Sequence, residues 1–265
     1  MSDIATRFWV DKSDFVRHIY KLVVILANKN RIEMKLIEKE IDDWIKSYVT
    51  INGDIKVDEN LRKSDLINYY LKITIPNIFE SYAIIFHSFW INNKIKKEKL
   101  NIDIDDEDDE KDFERINWTD FFKSYNHQFK IENCLEIKEK ISSENGQFNN
   151  ELYPGEGLCD KEHLISLKSQ ILEIYGVENI YVYYTFLSTE NWKSDKLYFG
   201  KITEIEELLN DNELRLTPSL IYSENKNWVL NSDYDLPFSL IGGEKKLIEK
   251  LVKENHNEIF EIQYK

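Results

Sequence analysis

The residues of this sequence best suited to chemistry are one histidine and a pair of closely spaced aspartates. His87 lies inside Ser81 to Ile91, SYAIIFHSFWI. The pKa of an imidazole in such a setting is easily moved, which is what a general base requires. Asp233 and Asp235 stand two apart in WVLNSDYDLPFSLIGG, Trp228 to Gly243. On an extended backbone they would project from one face and could hold a metal or share acid and base work. If the chain were an enzyme, His87, Asp233 and Asp235 would be its catalytic set, in a cleft walled by Trp192 and Trp228. Plainer readings stand beside these and outweigh them. Aspartates before a proline commonly bond their own backbone and make a turn. A hydrogen-bonded core histidine is commoner than a catalytic one, and no acidic orienter, nucleophile or third ligand stands within a few residues. The expectation is therefore no catalytic residue, no metal and no cofactor.

Other signals fade in the same way. Gly242-Gly243 ahead of Lys245 and Lys246 has the makings of an anion nest, but a helix cap is the simpler account. Gly155 and Gly157 lack the third glycine of a dinucleotide loop, and Glu156 and Asp160 would repel phosphate. Asp103, Asp105 and Glu107 alternate like a calcium loop, yet Asp108 stands where that loop needs glycine. There is no GxSxG elbow, P-loop or HExxH. Cys134 and Cys159 are far apart and lack a CxxC companion, so neither a zinc knuckle nor a disulfide framework is indicated.

Composition sets the outer bounds. The 265 residues are 42% hydrophobic and 13% aromatic, enough for one large core. The formal charge of -14 opposes nucleic-acid binding over most of the surface and favours a basic protein partner. Part of that bias is local: Asp103, Asp105, Asp106, Glu107, Asp108, Asp109 and Glu110 form a block that stays solvated, and they are the candidate partner-binding residues. The start, MSDIATRFWVDKSDF, reads as no signal peptide, and Leu22 to Ala27 is too short to span a bilayer. The expected setting is the cytoplasm, with no membrane association.

The elements that must position these residues follow from periodicity. Residues 13 to 27 and about 31 to 48 read as amphipathic helices, and 61 to 71 as a weaker one. Ile73 to Ile75 and Ser81 to Ile91 read as buried strand, with His87 on the side of Ala83, Ile85 and Phe89. Residues 92 to 114 form a charged loop, Trp118 to Tyr125 a short helix, and 126 to 150 have no distinct pattern. Asp160 would cap a helix lined by Leu164, Leu167, Ile171 and Ile174. Ile180 to Leu187 reads as a central strand and Leu197 to Ile202 as its neighbour. Thr203 with Glu206 forms a capping box for a helix through Leu209, and Leu220 to Ser223 is a strand. The end is a β-β-α-β unit: strands at Trp228 and Phe238 to Ile241, a helix with Leu247, Ile248, Leu251 and Val252 inward, and a closing strand within Glu258 to Tyr264. Gly242 and Gly243 would turn the chain into that helix through positive φ. The sum is one α+β domain over 1 to 265, with a mixed, mainly antiparallel sheet: residues 1 to 72 mostly helical, the sheet core in 73 to 91 and 115 to 265.

Taken in order, these pieces resemble an uncharacterised family of bacterial proteins, best represented in actinobacteria. The resemblance rests on the SYAxIFH-like strand at Ser81 to His87, the glycine loop and leucine helix at Gly155 to Ile174, the strand at Tyr181 to Trp192, and the W-V-x-x-D-x-D…GG close at Trp228 to Gly243. It covers most of residues 75 to 264 and departs at Ser88, where the family usually has proline. It implies one continuous domain and no particular reaction. In overall style the chain is similar to toxin-immunity proteins, being acidic, aromatic-rich and mixed α and β. The functional expectation is a non-catalytic interaction protein, in its concrete form an immunity-type inhibitor of a basic toxin. The alternative is an enzyme built on His87 with Asp233 and Asp235.

Overall fold

A computed structural model describes residues 34–49, 61–99, 112–189, 192, 194–211, 213–214, 217–255 and 257–265. The chain divides into two units, Met1–Glu33 and Met34–Lys265, and all described residues belong to the second. The helix expected at 13 to 27 and the acidic block Asp103 to Glu110 lie outside the described residues.

The fold is α+β. Its centre is an eight-stranded antiparallel sheet in the order β1-β7-β6-β8-β9-β10-β2-β11. These strands are β1 (Lys35–Leu36), β2 (Ser81–Phe86), β6 (Asn179–Tyr184), β7 (Lys196–Lys201), β8 (Leu220–Ser223), β9 (Trp228–Asn231), β10 (Phe238–Gly243) and β11 (Ile259–Ile262). A second sheet of three strands has β3 (Phe89–Ile91) between β4 (Glu114–Ile116) and β5 (Glu151–Leu152). The helices are α1 (Asp43–Lys46), α2 (Leu66–Thr74), α3 (Trp118–Ser124), α4 (Cys134–Asn145), α5 (Lys161–Tyr175), α6 (Ile205–Leu209) and α7 (Lys245–Glu254).

The large sheet is covered on both faces, and the alternation of its side chains says by what. In β2, Ala83 and Ile85 point to one core with Leu164, Leu167 and Ile171 of α5 and Leu247, Ile248 and Leu251 of α7. Tyr82, Ile84 and Phe86 point to the other, with Ile45 of α1, Leu71 of α2 and Trp118, Phe121 and Phe122 of α3. β6 divides likewise, Ile180, Val182 and Tyr184 against Tyr183. Strands buried on both sides read as unbroken apolar runs, which is how β2 and β6 look in the sequence. The C-terminal β-β-α-β unit is present, with β2 inserted between β10 and β11.

Several expectations are corrected. Ser81 to Ile91 is two strands in two sheets: β2 stops at Phe86, His87 N–H bonds Pro237 O, and β3 starts at Phe89. Phe89 consequently joins the core of Phe86 instead of that of Ala83 and Ile85. Ile73 lies in the helix α2, so the strand begins later than its apolar content implies. Within 34 to 48 only Asp43–Lys46 is helical; Lys35 and Leu36 pair with Phe199 and Tyr198, because the otherwise open edge of β7 needs backbone partners. α4 occupies a stretch with no evident periodicity, Cys134 and Ile141 being its buried residues. Gly242 and Gly243 lie within β10 and neither has positive φ. Their value is close packing: a Cβ on Gly242 would stand 2.5 Å from the ring of Phe79. The N-terminal cap near α6 uses Glu204, which accepts from Lys201 N–H at 3.1 Å, while Glu206 pairs with Lys168.

Candidate functional site

His87 is 1% exposed and both ring nitrogens are engaged. Nδ1 lies 2.8 Å from Gly155 O and Nε2 2.9 Å from Ser239 Oγ. A carbonyl can only accept, so Nδ1 carries the proton and Nε2 accepts from Ser239. Ser239 can then accept from Ser232, whose Oγ is 2.7 Å away. Burial lowers the His87 pKa from 6.5 to about 4, outweighing the bond to Gly155 and the field of Asp160. Neither Asp233 nor Asp235 is among its bonded partners. Asp233 is buried and its Oδ1 accepts from Asp235 N–H at 3.0 Å, while Leu236 N–H bonds Asp233 O at 3.1 Å. That is an aspartate-stabilised turn, the plainer of the two readings.

The two tryptophans do not wall a common cleft. Trp228 is fully buried in the core under α7, and its Nε1 donates to Glu178 Oε2 at 2.9 Å. Glu178, itself buried, also accepts from Asn227 at 2.6 Å and Ser223 at 3.1 Å. Trp192 is 60% exposed, with a φ of 49°. An indole is large enough to fill a core as readily as to line a cleft, and sequence alone does not separate the two uses.

The cleft that does form lies where the small sheet meets the start of α5. Its volume is about 440 Å³, and Trp90, Phe113, Leu152, Tyr153, Leu158, Cys159 and Asp160 are among its lining residues. Register explains one wall. Trp90 of β3 pairs with Leu152 of β5 and Arg115 of β4, so the three side chains share a face. Phe89, one step along, faces the core and stacks on Phe121 at 3.7 Å between ring centroids. Leu152 and Leu158, both lining the cleft, are about two-fifths exposed. Gly155 leaves space for Leu158, which a Cβ there would strike.

One end of the cleft is ionic. Asp160 occupies the N-cap position of α5 but makes no side-chain capping bond. Instead its Oδ2 accepts from Ser88 N–H at 3.1 Å, Ser88 Oγ at 2.7 Å and Arg115 Nη2 at 2.9 Å. Arg115 also pairs with Glu258 at 3.1 Å. His163, a turn into α5, has its Nε2 at 3.0 Å from both Arg115 Nη2 and Glu258 Oε2. A single neutral tautomer can accept from the guanidinium or donate to the carboxylate, but not both. Burial works against the Arg115 charge, yet Asp160 and Glu258 outweigh it and hold its pKa above the ordinary value. Burial also works against ionised Glu258, and His163 and Arg115 more than offset it, holding that carboxyl below its usual range.

This hub joins the link between β2 and β3, the small sheet, α5 and the approach to β11. Sequence reading misses Arg115, His163 and Glu258, which are separated by up to 143 positions and share no motif. The one available signal is the spacing of Asp160 and His163, three apart at a helix start. Cys159 lines the cleft but is no ready nucleophile: burial pushes its thiol far up, Asp160 adding to the effect, and burial pushes Cys134 up to about 12. Among the described residues no group of three or more histidines, cysteines and carboxylates is arranged to hold a metal ion. Among them, too, no helix is long and apolar enough to cross a membrane. Comparison with protein-family models, curated proteins and solved structures returned no match.

Proposed function

We propose that this chain is a non-catalytic interaction protein that binds a basic protein, in the manner of an immunity-type inhibitor. The observation that carries the reading is the cleft itself. Its wall is largely apolar and partly exposed, and Asp160, which lines it beside Lys161 and Glu162, is already held by Ser88 and Arg115. Such a surface binds by burying aromatic and leucine area, and it holds no poised acid, base or nucleophile. The two groups nearest to chemistry, His87 and Cys159, are buried and held in their uncharged forms.

Charge supports the choice of partner. The net charge of -14 would speed encounter with a cationic protein, and the acidic block ends at Glu110, three residues before Phe113 of the cleft wall. Tryptophan and tyrosine at a cleft rim are the side chains that anchor interfaces.

Co-expression with the products of neighbouring genes tests this. The expected result is a stoichiometric complex with a basic protein, whose dissociation constant rises as salt is added. If the partner is toxic to bacterial growth, co-expression relieves it. Absence of any such complex, together with a rise in melting temperature on adding a metal ion or nucleotide, would favour an enzyme over an interaction protein.

A further inference from the structure

We infer that the cleft between the small sheet and α5 is an anchor pocket for one arginine side chain presented by the partner. The inference rests on the binding reading above and specifies its chemistry. An arginine has an apolar stem and a planar cationic head, and the cleft offers a surface for each.

The stem would lie along Leu152 and Leu158, and the head against the indole of Trp90, a partly buried aromatic side chain in the cleft lining suited to a guanidinium. Asp160 also lines the cleft, and all its side-chain bonds fall on Oδ2. Its Oδ1 has no bonded partner among the described residues. A carboxylate fixed through one oxygen presents the other without further loss of freedom, which is how a preorganised acceptor gains affinity.

The balance of charge points the same way. Asp160, Glu162 and Glu258 are set against Arg115 and Lys161, leaving one net negative charge at this end, His163 not counted. Lys161 is occupied with Asn210 at 2.8 Å, so it is not positioned to close the gap. A second depression of similar size is lined by Leu36, Ile37, Ile41 and Leu197 with Glu38, Glu40 and Asp195 set against Lys39 and Lys46; it carries the same net charge but no tryptophan, and serves as the control for charge alone.

The probe is N-acetyl-arginine amide titrated into the full chain, with its neutral isostere N-acetyl-citrulline amide alongside. The readout is the indole N–H resonance of Trp90, assigned with Trp90→Phe. The expected result is saturable binding of the arginine compound in the millimolar range, with the citrulline compound at least about tenfold weaker. Leu158→Ala, at an exposed position, is expected to weaken binding about fivefold, and Leu36→Ala in the control depression to leave it unchanged. Asp160→Asn should abolish it. Because that variant also disturbs Arg115, the citrulline comparison on the unaltered chain decides the matter if it fails to fold. Equal binding of both compounds, or no saturable binding of either, overturns the inference. Failure here is distinguishable from failure of the binding reading. A basic partner that still binds Leu158→Ala with full affinity removes the pocket and leaves the partner, whereas arginine binding without any partner does the reverse.

Discussion

His87 and His163 are equally buried, each 1% exposed, yet their bonded partners differ in kind. His87 is bonded to a carbonyl and a serine, groups that carry no charge. His163 is set among Arg115, Glu258 and Asp160. Burial by itself therefore does not decide what a histidine does. A site of neutral partners fixes the tautomer and resists protonation, and its contribution is to the join between β2 and β10. A site of ions couples segments distant in sequence and leaves net charge at a cleft. The first is suited to holding the fold, the second to meeting another molecule.

The comparison is broken most severely at Arg115. Arg115→Ala leaves Asp160 and Glu258 facing one another with their counter-charge gone, and should cost about 3–5 kcal/mol of stability. Chemical denaturation reads this directly, and a cost under about 1 kcal/mol would mean the ionic site is no more than a solvated surface cluster.

Acid separates the two sites next. The folded state holds His87 neutral down to about pH 4, whereas the unfolded chain takes up that proton near 6.5. Between those values the unfolded state binds more protons, so stability present above pH 6.5 is lost as pH falls towards 4, in all roughly 3 kcal/mol. Glu258, held below its ordinary 4.5, adds its own loss only beneath that value. His87→Asn keeps a donor for Gly155 O and should flatten the upper part of the profile while leaving the lower part in place. An unchanged slope between pH 6.5 and 4.5 would show that His87 is not the group responsible.

Ser239→Ala gives the smallest effect. It removes the donor to His87 Nε2 inside a fully buried strand and should cost about 1–3 kcal/mol, with no effect on arginine binding at the cleft. A coupled change in both would show that Gly155, which bonds His87 and also lines the cleft, ties the two sites together.

Much of the scaffold was legible beforehand. α7 announces itself by its helical period, and β2 and β6 by runs that are apolar on both faces. Failures cluster where tertiary partners overrule local pattern. Lys35 and Leu36 were drawn to a sheet edge, and the run at His87 was cut because Pro237 O and Asp160 take its backbone N–H groups. The site was far less legible. His87 and Asp233 attract notice by residue type, but each is satisfied locally, whereas Trp90 and Arg115 are unremarkable in sequence and become neighbours only through strand register.

The amino-acid order by itself determined the class of fold, the two-sided burial of the central strands, the strongly negative charge and the lack of any established catalytic motif. These depend on composition and on periods of two or 3.6 residues, which are local quantities. Three-dimensional assembly alone decided that Asp160 turns from capping its helix to gripping Ser88 and Arg115, and that Trp90 and Leu152 come to line a cleft beside it. Charges separated by dozens of residues acquire an interaction energy only once the chain has brought them within a few ångströms.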